Sequence, residues 1–385
     1  FPIIKTAVAA NKFVQLHSVV DERSAGFVAI GLAQASESPV VISCTSGTAS
    51  LNLYPAIAES YYSETQLIVL TADRPDASID NWEGQCIRQN NIYEKHSVAS
   101  FTTPEETAEV AAFQSIGNKA GKACITHNGP VHVNMPFTEP FYNNFVNHGF
   151  EVKNERKNKQ PLLDVPNNLI EDIKTAKGIL WINGASREKK RITYPQNLIV
   201  WSDVIANQNE TESYWESLVN AVDEFDLPTP DVLITTGTYC VSKKLRTYLK
   251  AVRGIKHWHI GNGQQVGKPY GTHPQVVHCD SQAVANAISS YYQESEFDLT
   301  LNSLHDLISA KIQQMEWQIF SEMSATKILY ECLPTDSIVQ IANSMPIRYV
   351  GLLSKREDLK HLANRGTSGI DGCTSTAIGY ALASK

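Results

Sequence analysis

Over the first 140 residues, short apolar or β-branched runs alternate with segments whose apolar positions recur every three to four residues. The runs are HSVV (17–20), PVVISCT (39–45), QLIVLTAD (66–73) and GPVHVNMPF (129–137); the spacing predicts helices over 23–36, 48–62 and 104–121 between them. Strands separated by helices pair in parallel, and a parallel sheet is covered by helices on its faces. The pattern breaks at EVKNERKNKQPLLDVPNN (151–168), a polar, proline-punctuated stretch that reads as a linker.

A second series follows, with strands expected in KGILWINGA, NLIVWSDV, DVLITTGT, KHWHIGNG and QVVHC. A helix-rich stretch over 303–331 then leads to SIVQIANS and RYVGLL, which read as the opening of a third α/β domain. The expected class is therefore α/β, with parallel sheets flanked by helices in three domains: 1–155, 156–305 and an incomplete 306–385. The chain opens on Phe1 and stops in a helical pattern, TSTAIGYALASK, so both ends are expected to be cut.

Composition narrows the function classes. A net charge of −7 disfavours nucleic acid and anionic membranes as partners, and no stretch reaches the roughly 18 unbroken apolar residues of a membrane span. Seven cysteines without a CxxC pair fit reduced thiols in the cytoplasm better than disulfides or a zinc site.

The chemistry expected at the first sheet lies where its strands end. Glu22 follows a β-branched run and opens a helix; it is either a first-turn acid behind the N-cap Asp21 or a functional carboxyl buried at the sheet's C-terminal edge. SCTSGTASLNLYPA (43–56) passes from strand to helix through small residues, leaving backbone N–H groups and the hydroxyls of Thr45, Ser46 and Thr48 at that edge, where open α/β sheets bind ligands. Arg74 follows the next strand in LTADRP, as a carboxylate clamp or as the partner of Asp73.

In the second series HIGNGQQVG imitates a dinucleotide fingerprint, but Pro269, Gly271 and Pro274 deny it the required helix. His257 and His259 share a strand face without a third ligand, so a structural role is favoured over metal binding. SKKLR (242–246) follows a strand end and is a better anion site than the solvated SREKKR (186–191).

DERSAGFVAIGLA, CTSGTASLNLYPAIAES, LIVLTADRP and GPVHVNMPF together resemble the pyrimidine-binding domain of thiamine diphosphate enzymes. TADRP, IRQ (87–89), IANSMPIR (341–348) and above all NRGTSGIDGCTSTAIGYA (364–381) resemble one family among them, the 2-succinyl-5-enolpyruvyl-6-hydroxy-3-cyclohexene-1-carboxylate synthases of menaquinone biosynthesis. The resemblance implies thiamine diphosphate with Mg²⁺ or Mn²⁺ as cofactors and the dicarboxylates 2-oxoglutarate and isochorismate as substrates. It also implies a cytoplasmic homodimer or homotetramer. The cofactor's carbanion chemistry would decarboxylate the first substrate and add the succinyl semialdehyde unit to the second.

By the same resemblance Glu22 is the acid that bonds N1′ of the aminopyrimidine, a task suited to a desolvated carboxyl. The Thr45, Ser46 and Gly47 turn contacts the cofactor, and Ile370 props it into its bent form. Arg74, Gln85, Lys243, Lys244, Ser344, Arg348 and Arg365 match the substrate contacts. Departures are Gly84 where the family has an asparagine, a GSR stretch expected before Phe1, and a metal-binding GD…N stretch expected beyond Lys385. The chain as it stands is therefore expected to be inactive and to hold no metal. Rival readings are another thiamine diphosphate enzyme, such as a 2-oxoacid decarboxylase or acetolactate synthase, and a catalytically inactive binding subunit.

Overall fold

The computed structural model describes residues 2–9, 14–105, 110–138, 162–186, 191–208, 214–221, 223, 226–238, 240–261, 267–317, 320–353 and 355–384. The chain divides into two compact units, residues 1–159 with 364–385 and residues 160–363.

In the first unit β1 (Val40–Cys44), β2 (Leu67–Asp73), β3 (Ala99–Thr102) and β4 (Val131–Pro136) form a parallel sheet in the order β1-β2-β4-β3. Strand β3 is absent from the sequence reading because, as a half-exposed edge strand, it shows no continuous apolar run. HSVV, expected as a strand, is not one: it has no ladder partner among the described residues and Val20 is fully exposed. β-branched residues make a strand only where a neighbouring edge accepts them.

The first helix after that run, Glu22–Ser36, starts one residue earlier than expected. Asp21 caps it, accepting the Ser24 N–H at 2.7 Å. The helix expected over 48–62 is broken at Leu53 into Thr48–Asn52 and Tyr54–Tyr62, Pro55 lying in the first turn of the second piece, where its missing N–H costs nothing. The helix expected over 104–121 is described as Val110–His127.

A further helix, Cys373–Ala383, crosses Glu22–Ser36 almost backbone to backbone. A Cβ on Gly31 would stand 2.1 Å from the Thr376 carbonyl oxygen, and one on Gly379 would stand 2.0 Å from that of Val28. Only glycine permits this approach.

In the second unit β5 (Ile179–Asn183), β6 (Ile199–Ser202), β7 (Val232–Thr236), β8 (Lys256–Ile260) and β9 (Gln275–Val277) form a parallel sheet ordered β6-β5-β7-β8-β9. Strand β5 is buried along its whole length. Trp181, Val200, Ile234 and Trp258 pack on one face, while Leu180, Ile182, Trp201 and Leu233 pack on the other.

Strands β10 (Ile338–Gln340) and β11 (Lys360–Leu362) form a separate parallel pair. RYVGLL is not a strand: it runs out of the helix Met345–Gly351. Ile347, Val350 and Leu353 are buried at intervals of three, the period of a helix face. Residues 306–363 belong to the second unit and 364–385 to the first. Elements with one apolar face bury it on whatever neighbour is present. Residues 151–161 of the expected linker lie outside the described residues.

Gly31→Ala is expected to destabilise the first unit by about 1–3 kcal/mol, the usual cost of overpacking, measured as a lower denaturant midpoint. Acid should destabilise both units. Burial holds His132, His257, His305 and His361 neutral and pulls each pKa from 6.5 to about 4. Their contribution is complete above pH 6.5 and is lost as pH falls toward 4, since the unfolded imidazoles take up protons first. Denaturant titrations between pH 7 and pH 4 read this directly; a flat profile would contradict it.

Candidate functional site

Toward the C-terminal edge of the first sheet, polar side chains replace apolar ones. Along one face of β2 the buried series runs Leu67, Val69, Thr71, Asp73, and on β4 His132 and Asn134 are buried. The register sets Thr71 opposite Asn134. Groups buried this deeply need partners.

They find them in one another. Thr71 Oγ1 donates to Asn134 Oδ1 at 2.9 Å, and Asn134 Nδ2 donates to Asp73 Oδ2 at 2.7 Å. Gln89 Nε2 donates to Asn134 Oδ1 at 2.9 Å and to the Ala72 carbonyl at 2.8 Å. The single Thr71 proton is committed to Asn134, so the 2.8 Å contact between Thr71 Oγ1 and His132 Nε2 makes the imidazole the donor. Burial raises the Asp73 pKa, while bonds from Asn134 and the Arg74 N–H oppose the rise.

Glu22 lies at this edge. Its charge, second to burial, helps push the Cys44 thiol at the end of β1 up to about 12. The carboxyl is half-buried rather than buried as expected, because it occupies the first turn of its helix between the exposed Asp21 and Arg23.

In the turn after β1, Ser46 and Gly47 are buried and Thr45 is exposed. The N–H of Gly47, expected to be open to a ligand, is instead bonded to Gln89 Oε1 at 3.2 Å. What the turn offers is the exposed Thr45 and Thr48 rather than that amide.

Arg74 and Gln85 are brought together. Asp73 Oδ1 accepts the backbone N–H of Arg74 at 2.8 Å, while the guanidinium Nη2 donates to Gln85 Oε1 at 3.0 Å. Gln85 takes a left-handed φ of 61°, and a Cβ on Gly47 would lie 3.3 Å from its Cα. Gly84 meets nothing within 4 Å, so packing does not demand a glycine there.

The 364–372 loop belongs to the same unit. Glu59, buried on the Tyr54–Tyr62 helix, accepts the N–H groups of Gly366 and Thr367, both at 2.7 Å, and the Thr367 hydroxyl at 2.8 Å. Arg23 pairs with Asp371. These bonds carry Arg365, half-buried, and Ile370 toward the start of the Glu22 helix. Ile370 is 75% exposed, so it is not a core residue.

Lys243, Lys244, Ser344 and Arg348 lie in the second unit. The two lysines open the helix Lys243–Ala251, and Lys244 pairs with Asp223 at 2.8 Å. Ser344 precedes the helix Met345–Gly351 at a strained φ of 75°, and Arg348 is exposed one turn on.

Sequence reasoning missed Gln89, Asn134 and Glu59 as site residues. A glutamate among the alanines and isoleucine of YPAIAES, on the buried helix face, was a usable signal; nothing in the apolar pattern singles out the two amides.

His257 and His259 are not metal ligands here. His257 bonds the hydroxyls of Thr235 at 2.9 Å and Thr272 at 2.7 Å, and His259 bonds Thr235 at 3.0 Å. Residues 262–266 of HIGNGQQVG and 187–190 of SREKKR lie outside the described residues. Among the described residues no group of three or more His, Cys, Asp or Glu could hold a metal ion, and no helix is long and apolar enough to cross a membrane.

The family model described as "Thiamine pyrophosphate enzyme, N-terminal TPP binding domain" matches residues 2–96. Proteins named 2-succinyl-5-enolpyruvyl-6-hydroxy-3-cyclohexene-1-carboxylate synthase are similar over nearly the whole chain. That of Flavobacterium johnsoniae is 33% identical, covering 98% of this chain and 71% of its own length. The Bacteroides thetaiotaomicron protein is also 33% identical, over 100% of this chain and 71% of its own. The Desulfotalea psychrophila protein is 31% identical, over 99% and 73%. With that identity across both units, the chain belongs to the 2-succinyl-5-enolpyruvyl-6-hydroxy-3-cyclohexene-1-carboxylate synthase family of thiamine diphosphate enzymes.

Proposed function

We propose that the natural protein decarboxylates 2-oxoglutarate and joins the resulting four-carbon unit to isochorismate, with thiamine diphosphate as cofactor. The observation that carries this reading is the set at one sheet edge: the Glu22 carboxyl, the exposed Ile370, and the Arg74 guanidinium bonded to Gln85. The donor chemistry fits the pyrimidine half of the cofactor. A carboxyl can share a proton with a ring nitrogen, and an exposed branched side chain can press on a bound ring. When bound, thiamine diphosphate supplies the carbanion chemistry of decarboxylation and carbon–carbon bond formation.

The chain's own residues bind and orient. Glu22 holds the proton at N1′ of the aminopyrimidine, while Thr45, Ser46 and Gly47 line the pyrimidine's approach and Ile370 fixes its tilt. Arg74, with Gln85 orienting one of its nitrogens, presents a planar fork to a substrate carboxylate. Lys243, Lys244, Ser344, Arg348 and Arg365 supply the further cations and a hydroxyl that two dicarboxylates require. The described residues do not fit a divalent ion, so no step is assigned to Mg²⁺ or Mn²⁺.

On this reading residues 1–155 are the pyrimidine-binding domain, 156–305 the central domain and 306–385 the start of the diphosphate-binding domain. The smallest working assembly is a cytoplasmic homodimer.

The test is product formation from 2-oxoglutarate and isochorismate by the natural protein with thiamine diphosphate and a divalent ion. Glu22→Gln should abolish turnover while leaving the unfolding midpoint within experimental error; wild-type turnover would remove Glu22 from its role. Arg348→Ala should raise the KM of one dicarboxylate about tenfold or more with little change in kcat, because the deletion removes a charged partner made equally in ground and transition states. An unchanged KM for both substrates would contradict that contact.

A further inference from the structure

IRQ (87–89) marks the family resemblance, yet none of its residues has been given a part in the reaction. Arg88 pairs at the surface with Asp80. Gln89 turns the other way, is fully buried, and reaches three separate segments. Its Oε1 accepts the N–H of Gly47 in the turn after β1, and its Nε2 donates both to the Ala72 carbonyl near the end of β2 and to Asn134 Oδ1 on β4.

The amide has only one orientation available. A backbone N–H can only donate and a carbonyl can only accept, so Gly47 must face oxygen and Ala72 must face nitrogen. Asn134 is fixed in turn, because its nitrogen faces the Asp73 carboxylate and its oxygen takes protons from Gln89 and Thr71. Asp73 then accepts the backbone N–H of Arg74. One chain of oriented amides therefore runs from the turn beside Glu22 to the root of the arginine that meets Gln85.

We propose, on the functional reading above, that Gln89 is a positioning residue for this reaction: it sets the distance between the 45–47 turn on the cofactor side and the Arg74–Gln85 pair on the substrate side. It touches neither ligand. Its effect passes through Gly47 on one flank and through Asn134 and Asp73 on the other. A fully satisfied buried network of this kind is stiff, whereas one missing member leaves several polar groups to find new partners by moving.

Two substitutions in the natural protein test this. Gln89→Met keeps the length and bulk of the side chain but removes all three bonds. Gln89→Glu keeps the shape, but an ionised carboxylate faces two acceptors, the Ala72 carbonyl and Asn134 Oδ1, with the Asp73 carboxylate, the Thr71 hydroxyl and neutral His132 beyond. Four quantities are measured: the Kd of thiamine diphosphate with Mg²⁺ by calorimetry, KM and kcat for 2-oxoglutarate, and deuterium uptake at Gly47.

For Gln89→Met both Kd and KM should rise about tenfold, the scale set by leaving a buried partner unpaired, with kcat at saturation changed less and faster exchange at Gly47. Gln89→Glu should lie between wild type and the Met variant at pH 6, where a protonated carboxyl donates one of the amide's two bonds, and approach the Met variant at pH 8. Should Gln89→Met not fold, that pH dependence decides alone. A purely structural glutamine would lower the Tm of the folded variants and leave Kd, KM and the pH profile unmoved, and this result overturns the proposal. If the wild-type protein neither binds thiamine diphosphate nor forms product, the functional reading falls and the proposal with it; wild-type binding with unaltered variants overturns the proposal alone.

Discussion

The first unit rests on the contact in which the Glu22–Ser36 and Cys373–Ala383 helices meet through Gly31 and Gly379, so close that no side chain fits between backbones. That crossing fixes where the residues just before the second helix can go. Gly372, at φ +70°, passes over the Phe27 ring where a Cβ would overlap it, and Asp371 closes on Arg23. Ile370 is thereby held exposed beside the helix that begins with Glu22. A bulkier residue at either crossing glycine would separate the helices and with them the carboxyl and the isoleucine that the functional reading joins.

A second constraint acts alongside the first. Parallel strands end together, so the polar residues that follow them share one edge, and those pointing inward must be satisfied there without help from bulk water. Thr71, Asp73, Asn134, His132 and Gln89 meet this demand among themselves. Rigidity is a by-product of that satisfaction, and a site that orients a cofactor and a dicarboxylate benefits from it. Glu59 does similar work for the loop, using a charged acceptor where two successive backbone N–H groups point at it.

The legible part of the sequence was what periodicity encodes. Strands β1, β2 and β4 to β9 fall on the runs that suggested them, because each carries an apolar or β-branched run that can be read without its neighbours. Edge strand β3 was hidden, and HSVV misled, because both depend on what lies beside them rather than on their own composition. At the site, Arg74 and Gln85 are joined by a hydrogen bond and Ile370 is exposed, neither of which the apolar pattern encodes. Burial of Glu22 and an open Gly47 amide were not realised: the first depends on what covers a helix start, the second on a glutamine 42 residues away. Hydrogen bonds between distant segments leave no period in a sequence.

Electrostatics in the second unit gives Arg348 a particular standing. Glu216, a buried acid that feels the Arg348 charge, lies under the Met345–Gly351 helix, where a Cβ on Gly351 would stand 2.4 Å from its Oε2. Burial, reinforced by the charge of Asp203, pushes the Glu216 pKa up to about 8, against opposing effects from Ser242 and Arg348 itself. At neutral pH this acid is mostly protonated and neutralises little of the guanidinium charge. Lys244 differs, since its partner Asp223 is exposed and charged. On the proposed reading, a substrate carboxylate arriving at Lys244 would have to displace a surface ion pair worth roughly 0–1 kcal/mol, whereas one arriving at Arg348 would meet a cation whose buried neighbour carries little competing charge. Burying the acid rather than removing it also keeps the Ser242 bond, and with it the start of the lysine-bearing helix, tied to the element that carries Arg348.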